Sequence, residues 1–308
     1  MINSIEYKNI EKKFKNKNIG KILINEEMKN HTTFEIGGPV DLMVIPETEE
    51  QVKEAVSICR AEKLPYLIMG NGSNLLIKDG GIRGVVIKLN DGFNKIEVEG
   101  NKIYAQAGAL LNAVSRVAME ESLAGLEFAT GIPGALGGAM TMNAGAYGGE
   151  MKDVVESVRI LDKNGKVKEL SKEQMNFRYR GSKVADDGLI VLEVVFKLEV
   201  GSKNEIKLKI DDLTEKRTSK QPLEYPSGGS TFKRPEGYYA GKLIDDSGLR
   251  GLRYGGAEVS KKHCGFVINA KDASCQDVLR LVEVIKKTVK DTFGVSLERE
   301  IKLIGEDV

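Results

Sequence analysis

Apolar positions recur at helical spacing in some stretches of the chain and alternate or run together in others, and the two kinds of stretch take turns. Val52, Ala55, Val56 and Cys59 share one helical face. Thr48 and Gln51 open it at capping-box spacing, with Glu49 and Glu50 near the positive helix end. Leu110, Leu111, Val114 and Val117–Ala118 predict a helix over 109–123. Leu279, Val282, Ile285 and Val289 predict a long one over about 274–293, stopped by Gly294. Residues 203–220 predict a lysine-rich linking helix, residues 240–246 a short one, and residues 1–30 a weak helical lead-in. Strands are expected at 41–45, 66–69, 84–89, 265–269 and 297–304. Hairpins are expected over 96–107, turning at Gly100-Asn101, and around Asn164-Gly165. The run Leu189–Leu198 is β-branched and apolar, as a buried strand requires. The order strand, helix, strand, strand suggests a small α/β domain ending near Asp91-Gly92, followed by a second region and, beyond the lysine-rich helix, a third.

Composition narrows the function. Lys and Arg number 46 against 45 Asp and Glu, so no global charge draws the protein to nucleic acid or an anionic membrane. The absence of Trp and an aromatic share of 6% argue against a stacking surface for single strands. No apolar run approaches the roughly 20 residues of a spanning helix, and the N-terminus lacks the order of a secretory signal. A soluble, cytoplasmic protein with no obligatory protein partner is expected. Cys59, Cys264 and Cys275 lie far apart and read as buried free thiols. His31 and His263 have no second ligand at metal spacing, so no metal site is expected.

Glycine is the informative excess, with 34 residues, and two of its clusters matter. Gly70, Asn71, Gly72, Ser73 and Asn74 follow a predicted strand directly. Successive backbone N–H groups there can form an anion-binding nest, and the polar side chains add donors suited to a pyrophosphate. Thr130, Gly131, Ile132, Pro133, Gly134, Gly137 and Gly138 open a longer stretch that continues through Asn143 to Gly149. A backbone so bare of side chains can lie flat against a large planar or diphosphate ligand. Neither loop reads GxGxxG in a strand-to-helix turn, and GxxxxGK[ST] is absent. A dinucleotide would therefore need a fold other than the Rossmann or P-loop kind.

These stretches, with Thr33–Pro39, Tyr179-Arg180-Gly181-Ser182, Gly229–Pro235, Ala240–Gly248 and Glu298–Gly305, resemble the UDP-N-acetylenolpyruvoylglucosamine reductase (MurB) family in its own order. The short interval between Arg180 and Leu189 resembles the subgroup lacking an extra substrate-covering loop. The resemblance implies a non-Rossmann FAD-binding fold of the PCMH/vanillyl-alcohol-oxidase type. Two FAD-binding subdomains, 1–92 and 93–203, would be followed by an α+β substrate-binding domain, 204–308. It implies non-covalent FAD, NADPH as hydride donor, and a nucleotide-sugar substrate whose enolpyruvyl group is reduced at C3 and protonated at C2. The two glycine loops would bind FAD. Ser230 matches the family's proton donor, Arg180 the arginine of its Tyr-Arg-x-Ser motif, and Glu300 its near-terminal glutamate. Arg180 could hold the substrate carboxylate by its rigid fork, and Glu300 could hydrogen-bond the developing enolate if burial kept it protonated. Spacing alone does not choose between Glu300 and Glu298; the family match does. Asn143 and Lys233 would contact the substrate. Arg234 stands where the family usually has Asn, and could bind a diphosphate oxygen. Two rivals remain on the residues alone: an FAD-dependent oxidase of the same fold, and a non-catalytic nucleotide-binding protein.

Overall fold

The computed structural model describes residues 4–90 and 92–308. Asp91, at the expected end of the first part, lies outside the described residues. The chain divides into two compact units, each assembled from discontinuous segments: 1–24, 42–71 and 84–217 form the first, and 25–41, 72–83 and 218–308 the second.

The first unit is built on two sheets and one continuous core. A four-stranded sheet has the order Lys21–Glu27, Pro39–Ile45, Ile82–Lys88, Tyr66–Met69, and the last two run parallel. The helix Glu49–Ala61 joins the second strand to Tyr66–Met69 and buries Val52, Ala55, Val56, Ile58 and Cys59. Its start follows the sequence: the Thr48 side chain accepts from the Gln51 N–H, and the Gln51 side chain accepts from the Glu47 N–H at 2.7 Å. The second sheet is antiparallel, in the order Val167–Ser171, Val155–Leu161, Ile190–Lys197, Lys102–Gln106, Ile96–Glu99. The predicted apolar run becomes its central strand, with Ile190–Leu192 and Val194–Phe196 buried. Gly100 and Gly165, with φ of 61° and 77°, make the two hairpin turns. One apolar cluster extends from Ile10 through Val85, Phe93 and Ile103 to Leu198. The expected parts 1–92 and 93–203 thus share a core, since neither face of strands this short buries enough surface alone.

The second unit has a smaller core of its own. The helix Cys275–Phe293 buries Val278, Leu281, Val282, Ile285 and Val289. It belongs with the short helix Ala240–Asp246 and a three-stranded sheet, Arg253–Tyr254, Ala257–Val259, Val267–Asn269. Ser274 and Asp277 make a reciprocal capping box at its start, and Gly294 ends it in the left-handed region at φ 71°. Lys302–Ile304 pairs in parallel with Leu75–Ile77. The strand expected over 297–304 is therefore regular only at its end. Its earlier residues bond to the loop after Gly229, and Phe232 and Arg299 form an isolated antiparallel bridge.

Candidate active site

In the first unit Gly70 and Asn71, which open the first glycine loop, are tied to the second glycine loop. Asn71 donates from Nδ2 to the Pro133 carbonyl at 2.6 Å. A Cβ on Gly70 would come within 2.7 Å of the Ala135 Cβ, so the first loop needs glycine there to close on the second. After Pro133-Gly134 the chain turns into the short helix Leu136–Met142. Its first amides are bonded inside the protein, Leu136 N–H to the Ala109 carbonyl and Gly137 N–H to the Ala107 carbonyl, at 2.9 and 2.8 Å.

Gly138 differs from its neighbours. A Cβ there would meet nothing within 4 Å, and its φ is not positive. Neither packing nor backbone conformation demands glycine at this position, and the bare surface is what a flat ligand requires. The residues present therefore fit a large planar or diphosphate cofactor.

Asn143 ends the same helix in the left-handed region, buried, at φ 44°. Its Nδ2 donates to Glu150 Oε2 at 2.9 Å and to the Arg178 carbonyl at 3.2 Å, and its Oδ1 accepts from the Lys152 N–H at 3.0 Å. Asn143 is thus engaged within the protein and fixes the segment that carries Arg180. The Lys152 ammonium, with Asn143 and the Arg180 charge adding to it, holds the Glu150 carboxyl below its ordinary range. Residues 178–181 form a tight turn, with hydrogen bonds between Arg178 and Gly181 in both directions at 3.0 and 3.2 Å. The turn sets Arg180 at φ 53° and its guanidinium 5.0 Å from the Tyr179 ring. Non-glycine residues rarely hold this conformation, and such strain concentrates at functional positions. The pair Arg178–Asp186 anchors the turn from behind, at 2.8 and 2.5 Å.

The second unit pairs the segment after Ser230 with the segment that holds Glu300. Glu300 N–H donates to the Thr231 carbonyl, and Lys233 N–H to the Glu298 carbonyl, both at 2.9 Å. The antiparallel alignment puts Glu300 opposite Thr231, one step from Ser230. Ser230 is exposed, while Thr231 beside it is buried and accepts on Oγ1 from the Val267 N–H at 2.9 Å. Gly229 precedes it at φ 78°, which requires glycine. Glu298, the alternative carboxylate, forms an ion pair with Lys233. Asn74 donates from Nδ2 to the Glu300 carbonyl at 3.4 Å, and its own carbonyl accepts from Lys302 N–H. Within the second unit, Asn74 therefore borders the segment that holds Glu300. Arg234 lies 4.1 Å over the Tyr239 ring.

Other groups serve structure. The three cysteines are free and buried; burial pushes Cys59 and Cys275 up to about 12 and Cys264 to about 11, so they stay protonated. His31 bonds Glu26 at 2.8 Å, and His263 Nδ1 accepts from the Gly265 N–H at 3.0 Å. A cavity of about 720 Å³ in the second unit is lined by Glu27, Lys29, Glu35, Asp79 and Asp272 among others, and by none of the expected site residues. Asp79 caps the Cys275 and Gln276 amides there. Among the described residues no group of His, Cys, Asp or Glu is placed to hold a metal ion, and no helix is long and apolar enough to cross a membrane.

Sequence reasoning missed Arg217 and Tyr147, which hydrogen-bond each other in the first unit. A signal existed for the arginine: Ile206, Leu213 and Arg217 follow one another at seven- and four-residue spacing, one helical face.

An FAD-binding domain model matches residues 40–171, the region of both glycine loops. With the architecture above, this makes the protein a flavoprotein of the PCMH/vanillyl-alcohol-oxidase fold type. A model of the UDP-N-acetylenolpyruvoylglucosamine reductase C-terminal domain matches residues 221–304. The chain is 55% identical over 286 residues to the UDP-N-acetylenolpyruvoylglucosamine reductase of Clostridioides difficile (strain 630), covering 93% of this chain and 94% of that one. It is 52% identical over 298 residues to that of Clostridium novyi (strain NT), covering 95% and 97%. The crystal structure of the Thermus caldophilus enzyme (MurB) superposes with a TM-score of 0.80 at 36% identity, over 92% of this chain and 98% of that one. The chain belongs to the UDP-N-acetylenolpyruvoylglucosamine reductase family.

Proposed function

We propose that this protein reduces the enolpyruvyl group of UDP-N-acetylenolpyruvoylglucosamine to give UDP-N-acetylmuramate, with NADPH as electron donor, in the cytoplasmic synthesis of peptidoglycan precursors. The observation that carries this reading is the pairing of 231–233 with 298–300. It holds Glu300 opposite Thr231, the neighbour of Ser230, within the segment matched to the family's C-terminal domain.

FAD would be held by Gly70–Asn74 and Thr130–Gly138; when bound, it supplies a two-electron carrier between NADPH and the enol ether. The chain's own residues do the rest. Arg180 pairs with the substrate carboxylate and stabilises the charge that gathers there as C3 is reduced. Ser230 gives its hydroxyl proton to C2, and Glu300 hydrogen-bonds the same developing enolate. Main-chain bonds fix Glu300 and Thr231, the residue after Ser230, which limits the reorganisation needed when the charge appears. Arg234 binds a diphosphate oxygen and Lys233, relieved of Glu298, a second one. Asn143 supports Arg180 through the Arg178 carbonyl.

The test is spectroscopic. Oxidised flavin in the purified protein is recorded without oxygen, after NADPH, and again after the enolpyruvyl substrate. Bleaching by NADPH and recovery with the substrate are expected. Recovery only on admitting air would make the protein an oxidase instead, and a protein that takes up no FAD would sink the flavoenzyme reading.

A further inference from the structure

Ser230 is preceded by two glycines, Gly228 and Gly229. Glycine has the most backbone freedom to lose, so a hydroxyl carried next to a glycine pair is directed only if the chain is fastened on both sides of it. The later side is fastened at Thr231. Its N–H donates to the Gly265 carbonyl, its carbonyl accepts from the Glu300 N–H, and its Oγ1 accepts from the Val267 N–H, each at 2.9 Å.

The earlier side is fastened by a segment 194 residues away in the chain. Thr33 and Ser227 exchange two hydrogen bonds: the Thr33 hydroxyl donates to the Ser227 carbonyl at 2.7 Å, and the Ser227 N–H donates to the Thr33 carbonyl at 2.9 Å. Phe34, fully buried, continues the contact. A Cβ on Gly228 would stand 3.0 Å from both the Phe34 ring and the Ile301 side chain, so Gly228 lies between the residue after Thr33 and the residue after Glu300. Asn269 steadies the same clasp: its Nδ2 donates to the Phe34 carbonyl at 3.3 Å, and its N–H to the Pro226 carbonyl at 2.9 Å. All these residues belong to the second unit. The Thr33 hydroxyl is the member of the clasp that a substitution removes without deleting a main-chain bond.

We infer that Thr33 is a positioning residue for the protonation step. Through Ser227 it fixes the near end of Gly228-Gly229, and so keeps the Ser230 hydroxyl where C2 of the substrate receives its proton. The inference rests on the reading of Ser230 above. It adds a residue from the far N-terminal part of the chain that acts through the loop rather than on the substrate.

The experiment uses the full-length, FAD-loaded chain and follows each half-reaction by rapid mixing. Thr33→Val keeps the side-chain shape and removes the hydroxyl. Reoxidation of the reduced protein by the enolpyruvyl substrate should slow about ten- to hundred-fold, the effect of a misplacement on the order of 1 Å. Reduction by NADPH should keep its rate. Thr33→Ser, which restores the hydroxyl, should recover most of the loss. In a Ser230→Ala background Thr33→Val should slow reoxidation by less than about twofold, because the group it aims is already gone. Amide hydrogen exchange over 227–230 should quicken in the Val variant. Wild-type reoxidation in Thr33→Val would overturn the inference, as would unchanged exchange over 227–230. An equal loss in both half-reactions, or the same fold-loss with and without the Ser230 hydroxyl, would also overturn it, since Thr33 would then be only a strut. Should Thr33→Val not fold, Thr33→Ala is read by the same assays. A Ser230→Ala protein that reoxidises as fast as wild type would defeat the reading of Ser230 itself, whereas a slow Ser230→Ala beside a fast Thr33→Val would defeat only this inference.

Discussion

In the first unit the stretch 129–149 is locked from within: Gly70 closes on Ala135, Asn71 holds Pro133, and Asn143 engages its amide wholly inside the protein. In the second unit the loop 227–239 has its main chain fixed at Thr231–Lys233 against Glu298–Glu300, yet leaves Ser230, Arg234, Tyr238 and Tyr239 exposed. The first arrangement suits a cofactor that stays, because a preformed cradle loses little entropy on binding. The second suits a substrate that comes and goes, with a rigid backbone presenting accessible side chains. The lesson is that side-chain exposure and backbone rigidity are set separately, and the chemistry needs a different combination in each unit.

The sharpest way to test the contrast is Ser230→Ala. Reoxidation of the reduced protein by the enolpyruvyl substrate should slow by roughly 10²- to 10⁴-fold, the usual worth of a positioned general acid. Rapid-mixing reduction by NADPH and the melting temperature should not change. A proportionate loss in both half-reactions would mean that the second unit's loop shapes the cofactor site as well.

Two glycines of the first unit should then part company. Gly70→Ala forces a Cβ against that of Ala135 and should destabilise folding by about 1–3 kcal/mol in a denaturant titration. Gly138→Ala meets open space within a helix and should leave the fold unharmed or up to about 1 kcal/mol firmer. Its FAD binding should nevertheless weaken. FAD bound as tightly as by wild type would show that the bare surface at Gly138 is not the cofactor's.

Smaller effects come from away from both loops. Ser274→Ala removes the cap of the second unit's long helix and should cost about 1 kcal/mol while sparing FAD affinity. In the first unit, the Lys168 ammonium with the Lys166 and Asn164 amides holds the Asp162 carboxyl at about 2, below its ordinary 3.8. Folding therefore favours its ionised form. That contribution is complete above the ordinary value and drains away as pH falls through about 2. Asp162→Asn should lower stability at neutral pH and converge with wild type near pH 2, checked by denaturant titrations across that range.

The helix starts at Thr48 and Ser274, the hairpin glycines and the central strand Ile190–Lys197 were legible because each rests on neighbours in sequence. The pairing of Leu75–Ile77 with Lys302–Ile304 was not: three residues give no period, and their partner lies at the other end of the sequence. The last strand was overestimated for the same reason, since only its final residues find a continuous partner. Ser230 and Glu300 came from family resemblance, and the pairing of Glu300 with Thr231 emerged only from the fold. Arg217 was hidden because, in a lysine-rich helix, it looks like one more solvated charge; Gly131, which makes room for it, is far away in sequence.

Strand Leu75–Ile77 also has to wait for its partner. A ribosome adding about 5–20 residues per second needs on the order of ten seconds or more to pass from residue 77 to residue 304. Through that interval Leu76 and Ile77, fully buried in the finished protein, have no strand to pair with. The stretch that holds Asn74 is therefore exposed to chaperones and proteases for longer than the sheets around it. The carboxyl of Glu300 is delivered by the same late segment that ends the wait, so the group proposed to hydrogen-bond the developing enolate and the missing strand partner arrive in one event.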